Sequence, residues 1–158
     1  MRLLITALLS LAAGVAGAQD WQRFGSDRFG FALDIPPDFS VSFTSENGDG
    51  RVYHGAQGEH LLAVWGADLS DSSFRAEVED RLAQDAGDGW DISYERLTPR
   101  WASYSGTKND NIRYVRAVRL CDDRAAFFYM EYPREDKLAL DSVVVRLVRS
   151  MKRTAGCG

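Results

Sequence analysis

Long apolar runs are scarce in this 158-residue chain, and so are the residues on which most catalytic chemistry rests. It has two histidines, two cysteines, three methionines and four prolines. No C-x-x-C pair occurs, which excludes a thioredoxin-type redox centre. A P-loop and a dinucleotide-binding glycine fingerprint are also missing. Ser103 and Ser105 lie in Trp101-Ala102-Ser103-Tyr104-Ser105-Gly106, which lacks the G-x-S-x-G form of a nucleophile elbow. Basic residues are scattered and the excess charge is negative, −4 overall. That balance argues against a nucleic-acid partner and against an anionic membrane surface. Past Val15 nothing approaches the roughly 20 apolar residues that cross a bilayer as a helix. No repeat, low-complexity tract or linker interrupts the chain.

What is present begins with a targeting pattern. Met1-Arg2 is a short positive start. Leu3 to Val15 is apolar apart from Thr6, Ser10 and Gly14, and Ala16-Gly17-Ala18 is a small-x-small cleavage site. These features predict a secretory signal peptide over 1–18. The run is short for an anchor and no cysteine follows it to carry a lipid, so no stable membrane insertion is expected after cleavage. The mature chain, 19–158, is 140 residues, the size of a single globular domain. Without Arg2 it carries 18 basic and 23 acidic residues, a net charge of −5. A periplasmic or secreted location is expected. In that oxidising setting Cys121 and Cys157 are expected to form one disulfide, closing a loop of about 37 residues.

Trp21 to Leu69 reads as a train of short strands. Phe29, Phe31, Leu33 and Ile35 alternate with small or polar residues, as do Phe39, Val41 and Phe43. Pro36-Pro37 and Asn47-Gly48-Asp49-Gly50 punctuate them. Leu61 to Trp65 is continuously apolar, as in a strand buried on both faces. The period then changes. Phe74, Val78, Leu82 and Ala86 predict a helix over about 73–86, capped by Ser72 or Ser73, with Gly87 at its end and Arg81 and Asp85 on a solvated face. Strands resume at Ile92–Leu97, Trp101–Gly106, Ile112–Cys121 and Ala125–Tyr132. Leu140, Val144, Leu147, Val148 and Met151 predict a second helix over about 138–152. Strands, helix, strands, helix is an α+β pattern with a mostly antiparallel meander sheet.

The two histidines, His54 and His60, flank a turn. A metal site there needs a third ligand, and Glu59, the neighbour of His60, points to the opposite face of a strand. Asn47-Gly48-Asp49-Gly50 lacks the opening Asp and closing Glu of a calcium loop. No metal, cofactor or catalytic residue is therefore expected. One constellation stands out. If a hairpin closes around Asp122–Arg124, Cys121 faces Ala125 and Arg119 faces Phe127. The even-numbered face then holds Ile112, Tyr114, Val118, Leu120, Ala126, Phe128, Met130 and Tyr132, with Arg116 in their midst. If the preceding hairpin closes around Thr107–Asn111, Tyr104 comes opposite Tyr114. Arg116, Tyr114 and Tyr104 are thus candidate ligand-binding residues for a carboxylate or phosphate. Two alternatives stand beside this: Arg116 pairs internally with Asp34 or Glu131, or a bulge turns it outward. Arg113, Arg119 and Arg124 are not expected to join it in one patch.

Trp21, Phe29-Gly30-Phe31, Ile35-Pro36, Phe39 and the late helix Val143 to Met151 resemble, in their order and spacing, the PsbP-like domains. The chain also resembles small secreted proteobacterial proteins without assigned activity, in Asn47-Gly48-Asp49-Gly50-Arg51 and Trp101 to Gly106. The PsbP resemblance implies an α-β-α sandwich and a non-enzymatic binding or assembly role; the photosynthetic members assist the oxygen-evolving complex. No binding residue carries over from it. The function expected is an exported, non-catalytic binding or accessory domain that contacts a periplasmic protein. The alternatives are a small-ligand carrier using Arg116 and its tyrosines, and a secreted hydrolase built on His54 or His60.

Overall fold

Pro36-Pro37 is where the chain changes sheet. The computed structural model describes residues 20–69, 73–154 and 156–157. The expected signal peptide and the cap at Ser72 lie outside them. Within them the chain runs β1 (Gln22–Ser26), β2 (Phe31–Ile35), β3 (Phe39–Thr44), β4 (Gly50–Gly55), β5 (Leu61–Asp68), α1 (Phe74–Gly87), β6 (Asp91–Leu97), β7 (Trp101–Lys108), β8 (Asn111–Arg119), β9 (Arg124–Pro133), α2 (Lys137–Ser150) and β10 (Lys152–Arg153). Strands β1, β2 and β10 form a small sheet; β3-β4-β5-β9-β8-β7-β6 form a large one. The pairings among the described residues are antiparallel.

The α+β class and the two helices are as expected, but the opening stretch is not one meander. Proline cannot donate to a ladder, and the chain leaves β2 at Pro36 to enter the large sheet at Phe39. Phe29 precedes β2 rather than lying in it. Gly30, at φ +69°, turns the chain there, its N–H bonded to the Ser26 carbonyl at 2.8 Å.

Alternation on β9 divides the interior in two. Ala126, Phe128, Met130 and Tyr132 face a core made with Phe31, Leu33 and Ile35 of β2 and Leu140, Val144 and Leu147 of α2. Ala125 and Phe127 face a smaller core with Phe74 and Val78 of α1 and Ala102 and Ala117 of the sheet. Helix layers on opposite faces of the large sheet give the α-β-α arrangement. Ser73 caps α1, its Oγ accepting from the Ala76 N–H at 3.1 Å. Only Phe74 and Val78 of the expected stripe are fully buried on α1. Further along, Arg81 packs on the Phe127 ring at 4.4 Å, so it belongs to the sheet-facing side rather than to solvent.

Helix α2 ends at Ser150, two residues short of expectation. Met151 is extended, and Lys152 and Arg153 pair with Ala32 and Phe31 of β2. Two residues carry no periodic signal, so β10 is invisible to pattern reading. Among the described residues no helix is long and apolar enough to cross a membrane.

Candidate functional site

The face of Arg116 is set by two turns. At the β7–β8 hairpin only Asn109 and Asp110 lie outside the ladder, at φ 48° and 64°. Positive φ at both central residues is the tight turn whose twist suits a hairpin. Ser103 therefore pairs with Arg116, and Tyr104 with Val115. Relative to a closure that opposes Tyr104 to Tyr114 this is a slip of one residue, and a one-residue slip moves every side chain to the other face. Tyr104 is thus removed from the candidate site, and Trp101 and Ser103 take its place. At the β8–β9 hairpin Arg119 pairs with Ala125 and Arg116 with Phe128. That differs by two residues from the expected register, so the faces are kept.

Three cross-strand rows result. Tyr94, Ser105 and Tyr114 form one, Arg96, Ser103 and Arg116 the next, and Trp101 pairs with Val118 in the third. The Arg116 guanidinium lies 4.2 Å from the Trp101 ring centroid, and that of Arg96 lies 5.4 Å from it. Ser103 is 1% exposed, and its Oγ accepts from both Arg116 Nη1 at 3.0 Å and Tyr114 Oη at 2.9 Å. Burial lowers the Arg116 pKa and raises that of Tyr114. Arg116 Nε is buried without a hydrogen-bond partner. The same is true of Arg81 and Arg113, but those two are ion-paired, to Glu77 and to Asp85 and Glu131. Asp34 pairs with Arg23 and Arg146, and Glu131 with Arg113, so neither acid proposed as an internal partner reaches Arg116.

Arg116 lines a groove of about 820 Å³ together with Arg100, Trp101, Val118, Arg119 and the β10 residues Lys152 and Arg153. Arg116 and Arg119, expected apart because of strand alternation, share it because Arg119 ends β8 at the turn. One wall is the Cys121–Cys157 disulfide, formed as expected and closing a loop worth roughly 3–4 kcal/mol in the chain-entropy account. Arg153 Nη1 lies 2.9 Å from Cys157 Sγ.

On the opposite face Tyr104 donates to Asp85 at 2.7 Å, and Arg113 bridges Asp85 at 2.5 Å and Glu131 at 3.0 Å. Arg113 lies between the rings of Trp90 and Tyr129, 4.3 and 4.7 Å from their centroids. Burial and the Asp85 carboxylate push the Tyr104 pKa far up. Burial works against the Arg113 cation, but Glu131 and Asp85 outweigh it and raise its pKa. This network is closed on itself. It was not foreseen, because Asp85 sits on a helix whose register against the sheet no local pattern reveals.

The histidines do not converge. His60 Nε2 is 2.8 Å from Asp136 Oδ2 and its ring stacks on Phe39, while His54 Nδ1 is 3.4 Å from the Gly58 carbonyl. Among the described residues no three of His, Cys, Asp and Glu are placed to hold a metal ion.

No protein-family model and no curated protein matches the chain by sequence. Solved structures match its fold. Cyanobacterial PsbP (CyanoP) from Synechocystis sp. PCC 6803 superposes with a TM-score of 0.66 at 13% identity, over 90% of this chain and 97% of that one. The Saccharomyces cerevisiae Ran-binding protein Mog1p gives 0.57 at 12% identity, over 87% and 97%. A Mog1 mutant gives 0.58 at 12%, over 85% and 96%. At such identities the likeness establishes a PsbP-like fold.

Proposed function

We propose that this PsbP-like chain is an exported, non-catalytic binding domain that acts through contact with another protein. The observation that carries the reading is the arginine–aromatic face on β6–β8. Arg96 and Arg116 lie against Trp101, with Tyr94, 45% exposed, and Tyr114 in the adjoining row. Trp, Tyr and Arg are the residues that dominate interface hot spots: the two aromatics combine large apolar contact with a polar atom and few rotatable bonds, and arginine adds a planar, multidentate charged head. Mog1p, similar in fold, is named for binding another protein, Ran. A small-ligand carrier is the weaker reading, since Tyr104 is absent from the pocket it requires. A hydrolase is weaker still: among the described residues His60 is held by a carboxylate and neither histidine hydrogen-bonds a hydroxyl nucleophile.

The test is a pull-down from periplasmic extract with the tagged mature chain, read by mass spectrometry. A reproducible partner is expected, with Trp101→Ala reducing its capture several-fold. Capture of nothing reproducible, or capture indifferent to Trp101→Ala and Arg96→Ala, would refute the reading.

A further inference from the structure

Of the eighteen basic residues described, nine are ion-paired to a carboxylate. Arg28 is bound by Asp49 and Asp68, Arg113 by Asp85 and Glu131, Arg23 and Arg146 by Asp34. A second groove, of about 590 Å³ beside α2, contains that last cluster and so carries its own counter-charge. The groove at Arg116 does not. Its two acids are already engaged, Asp122 with Arg124 at 2.5 Å and Asp123 with Arg119 at 3.6 Å. Among the described residues Arg100, Arg116, Lys152 and Arg153 have no carboxylate partner. Four unmatched cations in one groove stand against a net charge of −4 for the whole chain.

We infer that this groove receives an acidic, extended segment of the partner protein, with one of its carboxylates seated on Arg116; the inference rests on the binding-domain reading above. Arg116 is prepared for that role. Its plane is held by the Trp101 ring and by Ser103, and its Nε is withdrawn from water with no protein acceptor. A guanidinium deprived of water gains most from a carboxylate, whose two oxygens match its fork. The remaining cations are exposed and spread along the groove, which suits a chain carrying several acids. An enclosed pocket that buries most of a small ligand is a different shape. Half-buried Val118 and Trp101 supply apolar contact between the charges.

The test uses hexaglutamate as probe and the mature, oxidised chain labelled with nitrogen-15. Saturable shifts are expected at the Trp101 indole N–H and the amides of residues 118–121 and 152–153. Affinity should fall roughly tenfold in Arg116→Gln, about 1.4 kcal/mol. It should fall further with added salt, and be unchanged in Arg149→Gln, which lies in the other groove. Should Arg116→Gln not fold, the double variant Lys152→Gln/Arg153→Gln replaces it, with the same loss expected. No saturable shift, equal affinity in the groove variants, or tighter binding of an oligothymidylate of equal charge would overturn the inference. The two proposals fail separately. A partner captured equally by Arg116→Gln sinks the acidic-segment inference and leaves the binding domain standing. Hexaglutamate binding with no captured partner sinks the binding-domain reading and leaves only a carboxylate-binding groove.

Discussion

Arg113 and Arg116 are three positions apart on β8 and meet opposite surroundings. Arg113 points to the α1 side, between two rings and two carboxylates, while Arg116 points to the other side, against Ser103 and Trp101, with no carboxylate partner among the described residues. The first is structural. Replacing Asp85 by Ala leaves the buried Tyr104 hydroxyl without its acceptor and Arg113 with one carboxylate instead of two. The side chains of Arg113 and Asp85 are only 20% and 14% exposed, so the cost is expected at about 2–3 kcal/mol, read as a lower urea midpoint. The Arg75–Glu79 pair on the outer face of α1 is the contrast, with Arg75 69% exposed. Arg75→Ala should change stability by less than about 0.5 kcal/mol. A loss equally small for Asp85→Ala would show the network to be dispensable. Alternation alone puts Arg113 and Arg116 on opposite faces, and that much was readable from their numbers. Which face held carboxylates was not, because Asp85 arrives from a helix whose seating on the sheet no local pattern reveals, and Glu131 comes opposite Arg113 only in the register that the β8–β9 turn sets.

At the scale of elements, two-residue turns decide what the strands display. Asn109 and Asp110 both adopt positive φ, and glycine is the better second residue of such a turn. Asp110→Gly should therefore stabilise the protein by about 0.5–1 kcal/mol, seen as a higher melting temperature. A loss of stability would mean that the Asp110 side chain contributes more than its backbone strain costs. The same turn explains where pattern reading stopped. The strands and helices were legible because periods of two and of about four survive in Phe31-Leu33-Ile35 and in Phe74-Val78. The polar stretch Thr107 to Asn111 allows more than one closure, and the choice of one over the next carried Tyr104 through the sheet. The β8–β9 register also differs from the expected one, yet by an even step, so Arg116 keeps its face with Tyr114. The site was thus half legible: its arginine and one tyrosine, without Trp101, Ser103 or the flanking cations. Nothing local in Lys152-Arg153 announces a strand that completes a sheet begun at Gln22.

Over the whole molecule, burial of phenols sets an alkaline limit. Tyr53, Tyr104, Tyr114, Tyr129 and Tyr132 all have pKa values raised above the ordinary 10.0, in each case first by burial. The unfolded chain ionises them near that ordinary value while the folded chain resists. Their contribution is therefore complete below pH 10 and is lost as pH rises toward the folded-state values. The urea midpoint should hold to about pH 9 and fall steeply beyond 10, with phenolate absorbance rising together with unfolding. Gradual phenolate formation in a protein that stays folded would contradict this. The seam between β5 and β9 has another kind of consequence. It joins Leu61–Asp68 to Arg124–Glu131, the strands of the large sheet whose partners lie farthest apart in sequence, whereas β3–β5 and β6–β9 each close through neighbouring hairpins. Loop closure over such a distance is slow, so the two hairpin sets are expected to form early and the seam to limit refolding. Val64→Ala, in the seam, should slow the folding arm of a chevron, whereas Leu33→Val, in the small sheet outside both hairpin sets, should mainly quicken unfolding. Equal effects on both arms would mean that the sheet assembles without a preferred order. The strand pair at the centre of the architecture is, on this account, also its clock.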